Sequence, residues 1–461
     1  MNRNLSIANR KSSILALILV SLGLAFAIGM FMGVGEVKLA EAQLQLIFLV
    51  IVSVLVLVRP YVGIILVISS LPIIDIIPSV PYVSSMLTLI GAITLGSFLL
   101  NRYIKHQHKK LHVPSGLLIG FLFVLWIILS NPSAALFIGN NDRYWFFTFI
   151  QLIVLSWLSA QLLDTDKKHN ILMGSFFVVT VLSAIYAIQQ GVVDADIYSS
   201  VRASGLAGGA NSAARYFIVG LIFSYYLVGS TETRFIKAIL FVGMVIIIIG
   251  IVKTVSRTGL LLLCGTIGMI LLLRIEGRNQ IRSIFLLIAF LTIVWIFSES
   301  LIEIFRSIFP AIRQGTDTIG LRYKLWEAGI RMFKDSMVRG VGIGQYTEKL
   351  IFYARDLLPY YRLRLGAHNM YIQALAETGL VGIIIFLSFL GTAMVKFWRG
   401  FQSQKPEISS LVKTWLVVFV VLLLGGVTKH DHYDKLLWMT AGISMCSLWN
   451  PLKDFDARSK D

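Results

Sequence analysis

A histidine stands where a long polar stretch gives way to an apolar one, in Gly366-Ala367-His368-Asn369-Met370-Tyr371. Imidazole is mostly neutral near pH 7 and takes a proton from an attacking hydroxyl, so His368 suits a general base. Beyond it, Asn369, Gln373 and Glu377 recur at every fourth position, which on a helix puts them along one stripe. At about 1.5 Å of rise per residue, Glu377 lies roughly 12 Å below Asn369, within the apolar span. An ionisable group at such depth is costly and is a functional candidate by default. The depth takes Glu377 away from the atom His368 would act on, so we expect it to orient polar neighbours or to pair with a cation such as Lys253 or Arg257. A plainer reading makes the stripe polar glue between helices and the histidine an interfacial hydrogen-bonding residue.

Cations mark the starts of other apolar runs. Arg202-Ala203-Ser204-Gly205-Leu206-Ala207-Gly208-Gly209-Ala210-Asn211 leads into one, with Asn211 as a natural N-cap and Arg215 in the first turn. Ser256-Arg257-Thr258-Gly259 opens another, with Ser256 as cap, and His368-Asn369 opens a third. Helix N-termini with arginine forks are anion sites, and Arg322 could close over one. A phosphate or diphosphate at the level of the lipid headgroups fits best, its lipid tail in the hydrocarbon. Any one of Arg202, Arg257 and Arg322 alone also reads as snorkelling to headgroups or pairing with an acid; their convergence with a histidine favours the site.

Other patterns are weaker. Lys429-His430-Asp431-His432-Tyr433-Asp434 is rich in metal-type ligands, but two histidines in one loop, even with His368, are not specific, and no metal is expected. Asp194-Ala195-Asp196 is too short a pattern to carry a nucleotide-sugar site. Gly340-Val341-Gly342-Ile343-Gly344 lacks the preceding strand and the Lys-Ser/Thr of a nucleotide loop and reads as a turn.

The elements that must hold these residues are membrane helices. Of 461 residues, 57% are hydrophobic and only 14% charged, with a mean hydropathy of +0.80. That predicts an all-α, polytopic membrane bundle of about 12–14 spans. We place the spans near 14–33, 44–58, 60–74, 83–100, 115–130, 144–163, 170–189, 212–229, 237–253, 257–273, 283–298, 369–395, 412–428 and 435–449. The first lacks a small-residue exit site at Met30-Phe31-Met32-Gly33 and is expected to be retained. With the N-terminus in the cytoplasm, basic residues of the short inner segments outnumber those of the short outer ones by about three to one, so both termini are expected inside. Net charge +17 is scattered over many loops, which suits orientation in a membrane and not nucleic-acid binding. Cys264 and Cys446 fall in apolar spans and form no disulfide framework.

Three parts follow: an N-terminal transmembrane bundle over 1–298, a long outer segment over 299–368, and C-terminal transmembrane helices over 369–461. In the outer segment Leu321, Leu325, Trp326, Gly329, Met332 and Phe333 recur at helical spacing, with Asp317 or Thr318 as cap. This amphipathic helix either lies on the outer membrane surface or folds over a cavity. A second helix is expected over 347–358, stopped by Pro359.

The order Arg202…Gly205…Asn211, Ser256-Arg257-Thr258-Gly259, Leu321-Arg322-Tyr323…Trp326 with Gly340-Val341-Gly342, and His368-Asn369…Leu375…Glu377-Thr378-Gly379-Leu380-Val381-Gly382 resembles the O-antigen ligase and O-antigen polymerase superfamily, over roughly residues 200–385. The resemblance implies a metal-independent, cofactor-free glycosyltransferase of GT-C type in the bacterial cytoplasmic (inner) membrane. Its donor would be a glycan on undecaprenyl diphosphate and its acceptor a sugar hydroxyl, on lipid A-core or a similar glycan, at the outer face. By position, Arg257 and Arg322 match the family's diphosphate-binding arginines and His368 the histidine that activates the acceptor. Arg202 and Asn211 match a less universal motif. A ligase, a polymerase and a protein O-oligosaccharyltransferase all remain open, as does a different class, a polysaccharide transporter or flippase.

Overall fold

The computed structural model describes residues 50–77, 86–104, 113–131, 140–190, 203–273, 318–358, 365–403, 406–429 and 432–449, and among them every regular element is helical. In chain order these are α1 (50–58), α2 (Tyr61–Ser69), a 3-10 helix (Leu71–Ile76), α3 (Met86–Ile104), α4 (Ser115–Ser130), α5 (Asn140–Leu162), α6 (Asp166–Gln190) and α7 (Ala210–Ser230). There follow α8 (Arg234–Lys253), α9 (Arg257–Leu273), α10 (Thr318–Asp335), α11 (Tyr346–Tyr353), α12 (Met370–Ser403), α13 (Pro406–Gly425) and α14 (Lys435–Ile443). Seven helices among the described residues are long and apolar enough to cross a membrane, with Ser115–Ser130 and Arg257–Leu271 as shorter apolar helices. Their outer surfaces are oily: Leu118, Leu122 and Leu129 of α4 and Val242 and Ile249 of α8 are exposed. Such faces need lipid to cover them. The protein is an all-α polytopic membrane bundle. The spans expected at 14–33 and 283–298 lie outside the described residues.

Sequence boundaries shift in three places. The span expected over 60–74 is not one helix: α2 stops at Ser69 and a 3-10 helix follows. Ser70 Oγ donates to the carbonyls of Leu66 (2.7 Å) and Val67 (3.1 Å), and Pro72 brings no N–H to continue the ladder. The helix expected over 347–358 is shorter, Tyr346–Tyr353. The span expected over 369–395 is broken inside.

Two compact units emerge, with chain boundaries inside α5 and α9. The first comprises residues 1–111, 158–260 and 446–461, and here α6, α7 and α8 pack closely on one another. Small residues permit the approach: a Cβ on Gly250 would lie 2.9 Å from Ala184 Cβ, and one on Gly220 2.7 Å from Thr180 Cγ2.

The second unit comprises residues 112–157 and 261–445. Here α10 spends its apolar face on protein, with Leu325, Ala328 and Met332 buried together with Tyr346, Leu350, Ala367 and Ala376. Arg331 ties α10 to the end of α11, donating to both Asp356 oxygens at 2.8 and 2.9 Å. The guanidinium holds the Asp356 carboxyl below its ordinary range.

The break in α12 falls at Gly379, whose φ is +68° and ψ −169°. A break frees carbonyls at the end of one half-helix and an N–H at the start of the next, which are costly inside a membrane unless bonded. The segment 337–342 supplies the partners. Val341 N–H donates to Ala376 O (2.8 Å), Gly342 N–H to Glu377 O (3.0 Å), and Leu380 N–H to Met337 O (2.7 Å). Trp126 Nε1 donates to Thr378 O at 2.8 Å. The glycine run thus is a turn, as its composition suggests, and Gly340 and Gly342 have φ of +72° and +107°.

Candidate active site

His368 immediately precedes the cap of α12 and has a φ of +49°, in the left-handed region. Its neighbours are fixed on both sides. Trp326 Nε1 donates to Ala367 O at 3.0 Å, and Ala367 N–H donates to Gln373 Oε1 at 3.1 Å. Asn369 is the N-cap, its Oδ1 accepting from Tyr371 N–H (2.9 Å) and Ile372 N–H (3.1 Å). Met370 N–H donates to Gly426 O at 2.7 Å. The first N–H groups of α12 are therefore engaged within the protein. Those donors are not left open to an anion at this helix start.

Arg322 lies one turn before Trp326 on α10, and through Trp326 that helix is bonded to the residue preceding His368. The second unit thus gathers Arg322's helix, His368, Asn369 and Glu377. The stripe seen in sequence is real from Gln373 onward: Gln373 Nε2 donates to Glu377 Oε1 at 3.0 Å. Asn369 turns to its capping role instead. Glu377 is buried, and His432 lies beside it, with Nε2 3.3 Å from Glu377 Oε2. Sequence reading grouped His432 with a loop of metal-type ligands. Its ring instead stacks on Phe149, at 5.8 Å between centroids. Among the described residues no group of three or more His, Cys, Asp or Glu could hold a metal ion.

The first unit holds Asn211, Ser256 and Arg257. Ser256 caps α9 as expected, accepting from Gly259 N–H at 3.0 Å. Asn211 is not the cap of α7. That helix begins at Ala210, after Gly209 with a φ of +145°, a conformation glycine adopts freely. Asn211 Oδ1 accepts instead from Ser256 Oγ at 2.8 Å, joining the starts of α7 and α9. Close packing follows, since a Cβ on Gly259 would meet Ala214 Cβ at 2.6 Å.

The loop before α7 is held by residues the sequence did not mark. Gln190 Oε1 accepts from Gly205 N–H at 3.1 Å, Ser183 Oγ from Leu206 N–H at 3.1 Å, and Asp75 Oδ2 from Gly208 N–H at 2.7 Å. Only the run of glycines hinted that so many donors would need partners. Arg202 lies outside the described residues.

Residues 242–387 match the family described as O-antigen ligase. Over that stretch the chain is similar to the O-antigen ligase and polymerase superfamily. It is also similar to the exopolysaccharide production protein ExoQ of Rhizobium meliloti (strain 1021), 31% identical over 133 residues, or 27% of this chain. The matched stretch spans about a third, 31%, of that relative's length. Ser256, Arg257, Arg322, His368, Asn369 and Glu377 all lie within the superfamily match, whereas Arg202 and Asn211 precede it.

Proposed function

We propose that this chain is a membrane glycosyltransferase that moves a glycan from undecaprenyl diphosphate to a sugar hydroxyl, on lipid A-core or a similar acceptor. The observation that carries the reading is His368, strained and fixed at the mouth of α12, inside the superfamily match. In the step we envisage, His368 accepts the proton of the acceptor hydroxyl as its oxygen bonds to the anomeric carbon. The bond from that carbon to the diphosphate oxygen breaks, and configuration inverts. Charge then grows on the departing lipid diphosphate, and the guanidiniums of Arg257, Arg322 and Arg202 neutralise it. In this reading arginines do what a divalent cation does elsewhere, so no metal is required. The site faces the outer side of the cytoplasmic membrane, with both termini inside.

The test is transfer by correctly inserted His368→Ala and Arg257→Ala variants in a strain lacking the chromosomal copy. General-base loss typically costs about 100-fold or more. Transfer at the wild-type level by both variants would sink the mechanism. The same strain separates ligase from polymerase, the second reading, which the similarity to an exopolysaccharide production protein favours. Loss of all long chains from the acceptor with lipid-linked polymer accumulating supports the ligase; single repeats still attached support the polymerase. A transporter or flippase typically uses a broken helix to bind ions. At Gly379 the freed groups are bonded to the 337–342 segment and to Trp126, which speaks for a structural break.

A further inference from the structure

We propose that Gln373, Glu377 and His432 form a buried positioning chain that sets the backbone at His368. The proposal rests on the reading of His368 given above for its functional meaning, but its geometry stands alone.

The chain begins at a single polar contact. Ala367 N–H, one residue before His368, donates to Gln373 Oε1 at 3.1 Å. A backbone N–H can only donate, so the Gln373 amide is fixed with its oxygen toward Ala367 and its nitrogen away. That nitrogen donates to Glu377 Oε1 at 3.0 Å. The same oxygen receives Tyr346 N–H at 3.4 Å, and the other carboxylate oxygen lies 3.3 Å from His432 Nε2. Glu377 Oε1 thus accepts from two donors, while Oε2 faces the His432 ring nitrogen at contact distance without a hydrogen bond. All three side chains are buried, at 4%, 1% and 0% exposure for Gln373, Glu377 and His432. In such surroundings the contacts carry more weight than at a surface.

The far end is anchored. The His432 ring stacks on Phe149, and Trp438 Nε1 donates to His432 O at 2.7 Å. Glu377 itself sits on the last turn before Gly379, where its carbonyl is bonded to Gly342 N–H. At the near end is a non-glycine residue at a φ of +49°, a state that persists only where its surroundings impose it. A buried carboxylate is thus linked through Gln373 to the backbone beside His368.

Glu377→Gln is the informative variant. Its carbonyl oxygen still accepts from Gln373 and Tyr346, and its amide nitrogen can donate to His432 Nε2 in the other imidazole tautomer. Glu377→Leu supports none of this. Gln373→Met breaks the link at the Ala367 end while keeping volume, and serves if Glu377→Leu fails to insert. The experiment is hydrogen exchange of peptides covering 365–372 in the full-length protein in nanodiscs, beside glycan transfer in the deletion strain. We expect Glu377→Leu or Gln373→Met to speed exchange at Ala367 about fivefold to tenfold, the loss of one hydrogen bond. Transfer should fall with it, and Glu377→Gln should restore both. Unchanged exchange in Glu377→Leu and Gln373→Met would overturn the chain, as would a Glu377→Gln variant no better than Glu377→Leu. If the exchange pattern appears while His368→Ala transfers at the wild-type level, the positioning chain stands and the role of His368 falls.

Discussion

His368 holds a φ of +49°, where Cβ crowds the following carbonyl and an ordinary residue loses about 1–2 kcal/mol. Glycine has no Cβ to crowd, and alanine does. We therefore expect His368→Gly to be more stable than His368→Ala by about 1 kcal/mol, with transfer lost in both. Thermal unfolding of the two variants in one detergent checks this, and equal midpoints would argue that the strain is not real. Much at this scale was legible. A histidine before an Asx cap and a serine three residues before Gly259 are local patterns, and Asn369 and Ser256 behave as local patterns predict. Asn211 did not, because Gly209 two residues earlier already turns the chain into α7 and leaves the amide to Ser256. Strain at His368 was hidden for the opposite reason: glycine marks such conformations, and here histidine occupies one.

Between elements, the junction of the 337–342 segment with the break in α12 decides how the second unit holds together. A Cβ on Gly379 would lie 2.3 Å from Val338 O, and one on Gly340 2.4 Å from the carbonyl carbon of Glu377. Both obstacles are backbone, which cannot swing aside. Gly391, on the same helix, has nothing within 4 Å of such a Cβ. Gly379→Ala should therefore cost about 3 kcal/mol or more and depress transfer, by strain at a special φ and lost backbone bonds together. Gly391→Ala should be neutral or stabilising by up to about 1 kcal/mol, as for alanine in a helix interior. Melting midpoints of the pair measure the contrast, and similar values would mean the segment is not locked to the break. Hydropathy could not reveal the break, since one glycine barely alters an apolar window and its partners lie far upstream. The glycine run at 340–344 was legible as a turn, but not what it turned against. For α10 the pattern predicted the right face, and the structure chose protein over the membrane surface as its partner.

For the molecule as a whole, composition named the class, because only 14% of residues are charged, against about 25% in soluble domains, and the mean hydropathy is +0.80. Sidedness is a separate matter, argued from charge alone. It bears on the chemistry, because the proposed transfer has its donor meet α10 and His368 at the outer face. Single cysteines at exposed positions test it. Asp335 at the end of α10 is expected outside, and Glu232 between α7 and α8 and Arg399 near the end of α12 are expected inside. The native Cys446 is buried and Cys264 partly so, and both are replaced by serine or alanine to clear the background. In intact spheroplasts a membrane-impermeant maleimide should label Asp335→Cys and leave Glu232→Cys and Arg399→Cys unlabelled until the cells are lysed. The reverse pattern would put His368 on the cytoplasmic face, where nucleotide-activated sugars are available. A lipid-diphosphate donor would then no longer be the economical choice, whatever the superfamily match implies.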